Sequence, residues 1–214
     1  MKITLLVDNM NSWYYPYAQN LKSELEKLGH EVFLANSIDD VQTGELAFFL
    51  SCEKLIKKDI RDKNKHNLVV HSSDLPQGKG WSPLTWSVLA GENKITNTLF
   101  EAVDKVDAGV IYMQNSFEFE GHELFGEMRK LQGEKINELV LNYVSKYPEV
   151  QEKEQIGEES FFKKRGAEDS ELDTEQSIKD QFNLLRVVDN EKYPAFFEHL
   201  GKKYILKIYK ADEK

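Results

Sequence analysis

The sequence predicts an α/β fold with a mostly parallel, Rossmann-like central sheet flanked by helices, and its first segments carry that expectation. Residues 3–7 form a continuous apolar run ending at Asp8-Asn9, the pattern of a strand buried on both faces. A helical spacing (Tyr17, Leu21, Leu25, Leu28) follows Pro16 and stops at Gly29, a usual helix terminator. Residues 32–35 turn apolar again, so strand, helix and strand succeed one another at once. In open sheets of this kind ligands sit at the carboxyl ends of strands. Asp8, Asn9, Asn11, Ser12 and Trp13 follow such an end and are candidate ligand contacts; the competing reading is a polar loop with a helix cap.

The later elements follow from the same signals. Residues 46–50 are the third strand, after which Ser51 is placed to cap a helix with a buried stripe of Leu55, Ile56 and Ile60. Residues 68–70 are the fourth strand, delivering His71, Ser72 and Ser73 into a loop built from Pro76, Gly78, Gly80 and Pro83. Ser82 before Pro83 reads as a helix start and Gly91 as its stop. Residues 95–103 and 110–114 are two more strands, with Asp107, Ala108 and Gly109 in the turn between them. A long helix is expected over about 122–147, with Phe125, Met128, Leu131, Leu139 and Tyr143 on its apolar side.

Composition then shifts. Residues 149–173 are highly charged and read as a partly mobile surface loop. Asp173 with Gln176 resembles a capping box for a helix bearing Ile178, Phe182 and Leu185, and residues 195–209 read as a β-hairpin around Gly201. The expected organisation is a catalytic core over 1–150 and a C-terminal extension over 151–214 that packs on it.

A formal net charge of -9 argues against a nucleic-acid partner, which requires a basic surface. The single cysteine, Cys52, excludes an internal disulfide and a multi-cysteine metal site, and suits a reducing cytoplasm. No apolar stretch approaches the roughly twenty residues that span a bilayer, and the N-terminal run is too short for a signal peptide. The expectation is a cytoplasmic protein with neither metal nor membrane partner.

The segment HSSDLPQGKGWSP, followed by LAGENKITNTLFEAVDKVDAG, resembles the formyltransferase family that uses formyl-tetrahydrofolate. His71, Ser73, Leu75, Pro76, Gly80, Pro83, Gly91, Asp107 and Gly109 fall where that family has its Asn-x-His strand end, its Ser-Leu-Leu-Pro-like loop and its Asp-x-Gly turn. The resemblance implies the family's fold, with formyl-tetrahydrofolate as co-substrate, His71 as general base and Asp107 as its partner. The residue types suit that chemistry on their own. An amine attacking a formyl carbon must lose a proton, and imidazole, with an ordinary pKa of about 6.5, exchanges protons near neutral pH. A carboxylate can orient the ring and stabilise its charged form. The bland alternative is a strand-end histidine and a turn aspartate capping backbone groups.

By the same resemblance Phe49, Ser51, Cys52, Leu55 and Leu75, with main chain near Val106 and Asp107, line the pterin side; for Leu55 a core or cap role is the alternative. One position departs from the pattern. Val69 stands where the family has the asparagine that helps hold the oxyanion. Losing such a donor typically costs about 10²–10³ in rate. Asn67 is about 13 Å from His71 along an extended strand, too far to substitute. The remaining candidates are a backbone N–H, Ser72, Ser73, Gln77 or Lys79.

The acceptor amine is the open question. The family's members act on initiator methionyl-tRNA, glycinamide ribonucleotide or amino sugars. The expected tRNA marks, an added domain and a basic surface, do not fit this length and charge, and VDNMNSWYYPY lacks the glycines of a phosphate cradle. KKRGAEDSELD and FNLLRVVDNEKYPAFF look like segments of sugar N-formyltransferases of surface-polysaccharide or nonulosonic-acid pathways. Arg165 and Arg186 are then the cations for a phosphate or carboxylate. Asn183, Asp189, Asn190 and Tyr193 become hydroxyl readers, Trp13 and Trp81 flat surfaces, and Lys79 a contact to an anionic group. Alternatively Arg186 pairs with Asp189, and Lys79 is a solvated loop lysine. A small-molecule amino sugar acceptor and a homodimer are the expectations. The rivals are a nucleotide or aminoacyl acceptor, or an impaired folate-binding relative.

Overall fold

The computed structural model describes residues 1–211. A six-stranded sheet has the order β2-β1-β3-β4-β6-β7, with β1 (Lys2–Leu6), β2 (Glu31–Ala35), β3 (Gly44–Phe49), β4 (Asn64–His71), β6 (Lys94–Glu101) and β7 (Ile111–Glu118). The first four of these run parallel; β6 lies antiparallel to both β4 and β7. The mostly parallel α/β sheet expected from sequence is therefore present.

Alternate side chains of the apolar runs go to opposite faces, and both faces are covered. Ile3, Leu5, Phe48 and Leu68 pack against α1 (Tyr15–Lys27) through Ala18, Leu21 and Leu25, and against α4 (Phe125–Lys146) through Ile136, Leu139 and Val140. Leu6, Ala35, Ala47 and Phe49 face the other way, towards Ile56 and Ile60. This two-sided burial is why the strand sequences are continuous rather than alternating. Each fully buried Leu or Phe contributes roughly 1.5–3 kcal/mol. Among the described residues, no helix is long and apolar enough to cross a membrane.

Local chemistry departs from expectation at several ends. Ser51 does not cap a helix: its φ is 56°, and α2 (Lys58–Arg61) begins later, with Leu55 left exposed. Ser82 precedes α3 (Pro83–Leu89) in a left-handed conformation and makes no side-chain cap. Asp173 accepts from the Glu175 N–H at 2.9 Å and forms a turn, while the last helix, α5 (Phe182–Val187), starts well beyond it. At Asp173 short-range hydrogen bonding competes with helix capping and wins, while the Ser51 hydroxyl is taken by Ser12.

The charged segment is the largest correction. Rather than a free surface loop, it runs back over the sheet's end. Lys153 bridges Ile111, and β8 (Phe161–Phe162) pairs in parallel with β5 (Lys79–Gly80). Of its apolar interruptions Phe162 and Leu172 are drawn in, while Ile156 and Phe161 stay exposed. The C-terminal hairpin, β9 (Ala195–His199) and β10 (Lys202–Leu206), packs with α5 around Leu172, Leu185 and Val188.

Candidate active site

Strand order reverses between β1 and β3, and a cavity of about 790 Å³ opens beyond their carboxyl ends. His71 is the last residue of β4. It shares a face with Val69, which stands in register with Phe49 on β3. His71, Val69 and Phe49 all line the cavity. The His71 Nε2–H donates to the Gly78 carbonyl at 2.8 Å. In the neutral ring this leaves the lone pair on Nδ1, the atom able to accept a proton.

Asp107 lies in the turn between β6 and β7 with φ 50°, and its Oδ2 is 4.0 Å from His71 Nε2. The same Oδ2 accepts from the Gly80 N–H at 2.9 Å. One short stretch therefore fixes both groups, Gly78 through its carbonyl and Gly80 through its amide. Gln155, in the charged segment, donates to the carbonyls of Asp107 and Gly109, each at 2.9 Å. Gly109 itself is pressed on β6: a Cβ there would fall 1.8 Å from the Glu101 carbonyl oxygen. Backbone cannot swing aside as a side chain does. Gly109→Ala is expected to cost about 3 kcal/mol or more, beyond ordinary overpacking, read as a fall in the urea midpoint at unchanged slope. Unaltered stability would show that the turn moves freely and does not hold Asp107.

The expected cofactor contacts Phe49, Ser51, Cys52, Leu55 and Val106 all line the cavity. Leu55 and Val106 are 59% and 47% exposed, apolar wall that a flat ring would cover. The residues therefore fit a pterin. Cys52 Sγ donates to the Leu6 carbonyl at 3.4 Å, and burial pushes its thiol well above the usual range, so it stays protonated. Ser51 shares a 3.0 Å hydrogen bond with Ser12, tying the loops after β1 and β3.

The same cavity is lined by Asn9, Trp13, Trp81, Arg165 and Tyr193. The other expected contacts, Asp8, Ser73, Leu75, Lys79, Arg186 and Asn190, do not line it. Each has structural work instead. Asp8 accepts from the N–H groups of Glu53 and Lys54. Leu75 packs with Phe100 and Ile111, and Ser73 is buried beneath the loop. Lys79, 1% exposed, pairs with Glu159 at 2.7 Å and is no solvated loop lysine. Arg186, also 1% exposed, holds Glu123 at 3.2 Å and the side chains of Asn93 and Asn183, so its partner is not Asp189. Asn190 exchanges two hydrogen bonds with the main chain of Ile208.

The side chains considered as replacements at Val69 also fall away. Ser72 lines the cavity, but its hydroxyl donates to Asn97 at 2.7 Å while accepting from Gln132 at 2.7 Å. Ser73, Gln77 and Lys79 are off the wall. Main-chain N–H groups and the imidazole itself remain. Among the cavity residues that escaped the sequence reading are Arg129 and Gln132. Their signal was present: Gln132 lies one turn from Met128 and one from Ile136, a polar residue on the inward stripe of α4.

The sequence profile described as formyl transferase matches residues 22–140, more than half of the chain. Solved structures agree on the fold. A methionyl-tRNA formyltransferase from Clostridium thermocellum is similar with a TM-score of 0.83 at 21% identity, over 99% of this chain and 94% of that one. HypX from Aquifex aeolicus in complex with tetrahydrofolic acid gives 0.81 at 22% identity, over 97% of this chain but 37% of HypX. A sugar N-formyltransferase from Shewanella sp. gives 0.74 at 13% identity, over 100% and 99%. Chain length accordingly does not separate the tRNA branch from the sugar branch.

Proposed function

Because this chain belongs to the formyl transferase family, we propose that it moves a formyl group from formyl-tetrahydrofolate to the amine of an amino sugar. The observation carrying this reading is the placement of His71 and Asp107, 4.0 Å apart, on one cavity whose lining also carries apolar, aromatic and cationic side chains.

The donor supplies the activated formyl carbon. His71 takes the attacking amine's proton at Nδ1, and Asp107 steadies the positive ring that results. As the new amide C–N bond forms and the bond to the folate nitrogen breaks, the ring returns the proton to that nitrogen. Trp13 and Trp81 offer faces for the acceptor's ring, and Tyr193 a hydroxyl for its own. A net charge of -9 disfavours a polyanionic tRNA and leaves a small acceptor. Tyr204 and Ile205 on the C-terminal hairpin and Tyr209 in the irregular stretch after it, all exposed, support pairing with a second copy.

The deciding experiment offers the purified protein formyl-tetrahydrofolate with nucleotide-linked amino sugars, amino uronic acids, glycinamide ribonucleotide and initiator methionyl-tRNA in turn. Turnover is expected with a sugar alone; turnover confined to the ribonucleotide or the tRNA would overturn the reading. Val69 favours one rival, since none of Ser72, Ser73, Gln77 and Lys79 is placed to replace the family's asparagine. That rival forecasts folate binding without transfer to any acceptor.

A further inference from the structure

Two guanidinium groups share the acceptor end of the cavity, and the protein supplies them with little negative charge. Arg129 comes from the start of α4 and Arg165 from just after β8; both line the cavity. The Arg129 guanidinium lies 4.6 Å from the Trp13 ring centroid and 5.1 Å from that of Phe125. Such contacts fix its plane. Its Nη1 donates to Gln132 Oε1 at 2.7 Å, while its Nε, shut off from solvent, has no partner among the described residues. Arg165 is held alike. Its Nη2 donates to the Asp169 carbonyl at 3.0 Å and to Ser170 Oγ at 3.1 Å, and its Nε is again sealed and unpartnered among the described residues.

Burial draws the Arg129 guanidinium down to about 10; Asp189 opposes that fall and Arg165 adds to it. Burial lowers Arg165 as well, with Asp169 opposing. Asp169 is paired with Lys163, which leaves Asp189, also on the cavity, as one carboxylate against two guanidinium groups. Asp189 Oδ1 already accepts from the N–H groups of Glu191 and Lys192, and Asp169 from Lys163 and the Gly166 N–H. Like charges brought together out of water are stable only when an anion joins them.

We infer that Arg129 and Arg165 together hold an oxyanion, phosphate or carboxylate, carried by the formyl acceptor, so that neutral amino sugars are refused. This deepens the formyl-transfer reading and rests on it. The corner also connects to the reacting end. Gln132, which accepts from Arg129, donates to Ser72 at 2.7 Å, and Ser72 follows His71 in the chain. An acceptor anchored by its anion is thereby set at a fixed offset from the imidazole.

The test is calorimetric titration of the full chain with inorganic pyrophosphate, glucuronate, glucosamine and 5-formyl-tetrahydrofolate as probes. Saturable binding of pyrophosphate or of glucuronate, and none of glucosamine, is expected; the anion that binds identifies the group. Arg129→Met and Arg165→Met should each weaken that binding about 10–100-fold, the worth of a charged hydrogen bond. The folate probe should bind them within about twofold of the parent. Should a methionine variant fail to fold, Arg129→Lys and Arg165→Lys retain the charge without the planar fork. They are expected to weaken the anion by about fivefold or more. Anion binding identical in parent and folded variants, or absent in the parent, overturns the inference. Failure of the parent to bind the folate probe instead strikes the formyl-transfer reading beneath it.

Discussion

Replacing His71 with alanine is expected to lower kcat for formyl transfer by about 10²–10⁴-fold, the usual contribution of a positioned general base. The imidazole is held by a single 2.8 Å hydrogen bond to the Gly78 carbonyl, with Nδ1 left to exchange protons. Alanine removes the base and that tether together. His71→Gln separates the two, because its amide can still donate to Gly78 but cannot accept a proton at neutral pH. Equal losses in both variants, at a melting temperature within a few degrees of the parent, would assign the effect to proton transfer. Recovery of activity in the glutamine variant would make His71 a loop anchor and place the chemistry elsewhere.

Asp107→Asn is expected to cost nearly a thousandfold. At the observed 4.0 Å, a full carboxylate stabilises an imidazolium by about 4 kcal/mol at an effective dielectric near 20. Each 1.36 kcal/mol is a factor of ten in rate. Asparagine tolerates the left-handed backbone at this position, and its oxygen can still accept from the Gly80 N–H, so the turn should survive. The loss should fall on kcat while folate affinity stays within about twofold. A variant turning over at the parent's rate would mean that the carboxylate serves only to pin Gly80.

The sheet was legible in the sequence because two-sided burial leaves unbroken apolar runs, as in residues 3–7 and 46–50. The pair His71 and Asp107 was legible because each sits at a strand end or turn marked by glycine and proline. The polar contacts were harder to assign. Arg165 and Arg186 look alike in sequence, yet one faces the cavity and the other is sunk between Glu123, Asn93 and Asn183. Only the path of the chain decides which arginine meets its partner inside the protein. Arg129 was passed over because a charged residue near a helix start usually faces water, whereas here it leans on Trp13 and Phe125. The segment 149–173 misled for the opposite reason: most of its charges are solvated, but Phe162 stacks on Trp86 and Gln155 holds the Asp107 turn.

That grip sets an order of assembly. Gln155 fastens the turn of Asp107, and β8 seats the strand whose flanking groups hold His71 and Asp107. A nascent chain emerging from the ribosome can complete its sheet well before Phe162 is free, but at that moment the imidazole and the carboxylate still lack their brace. The brace therefore arrives late in synthesis, and a chain cut after α4 would keep the helix that covers the sheet but lack the segment that fixes this pair.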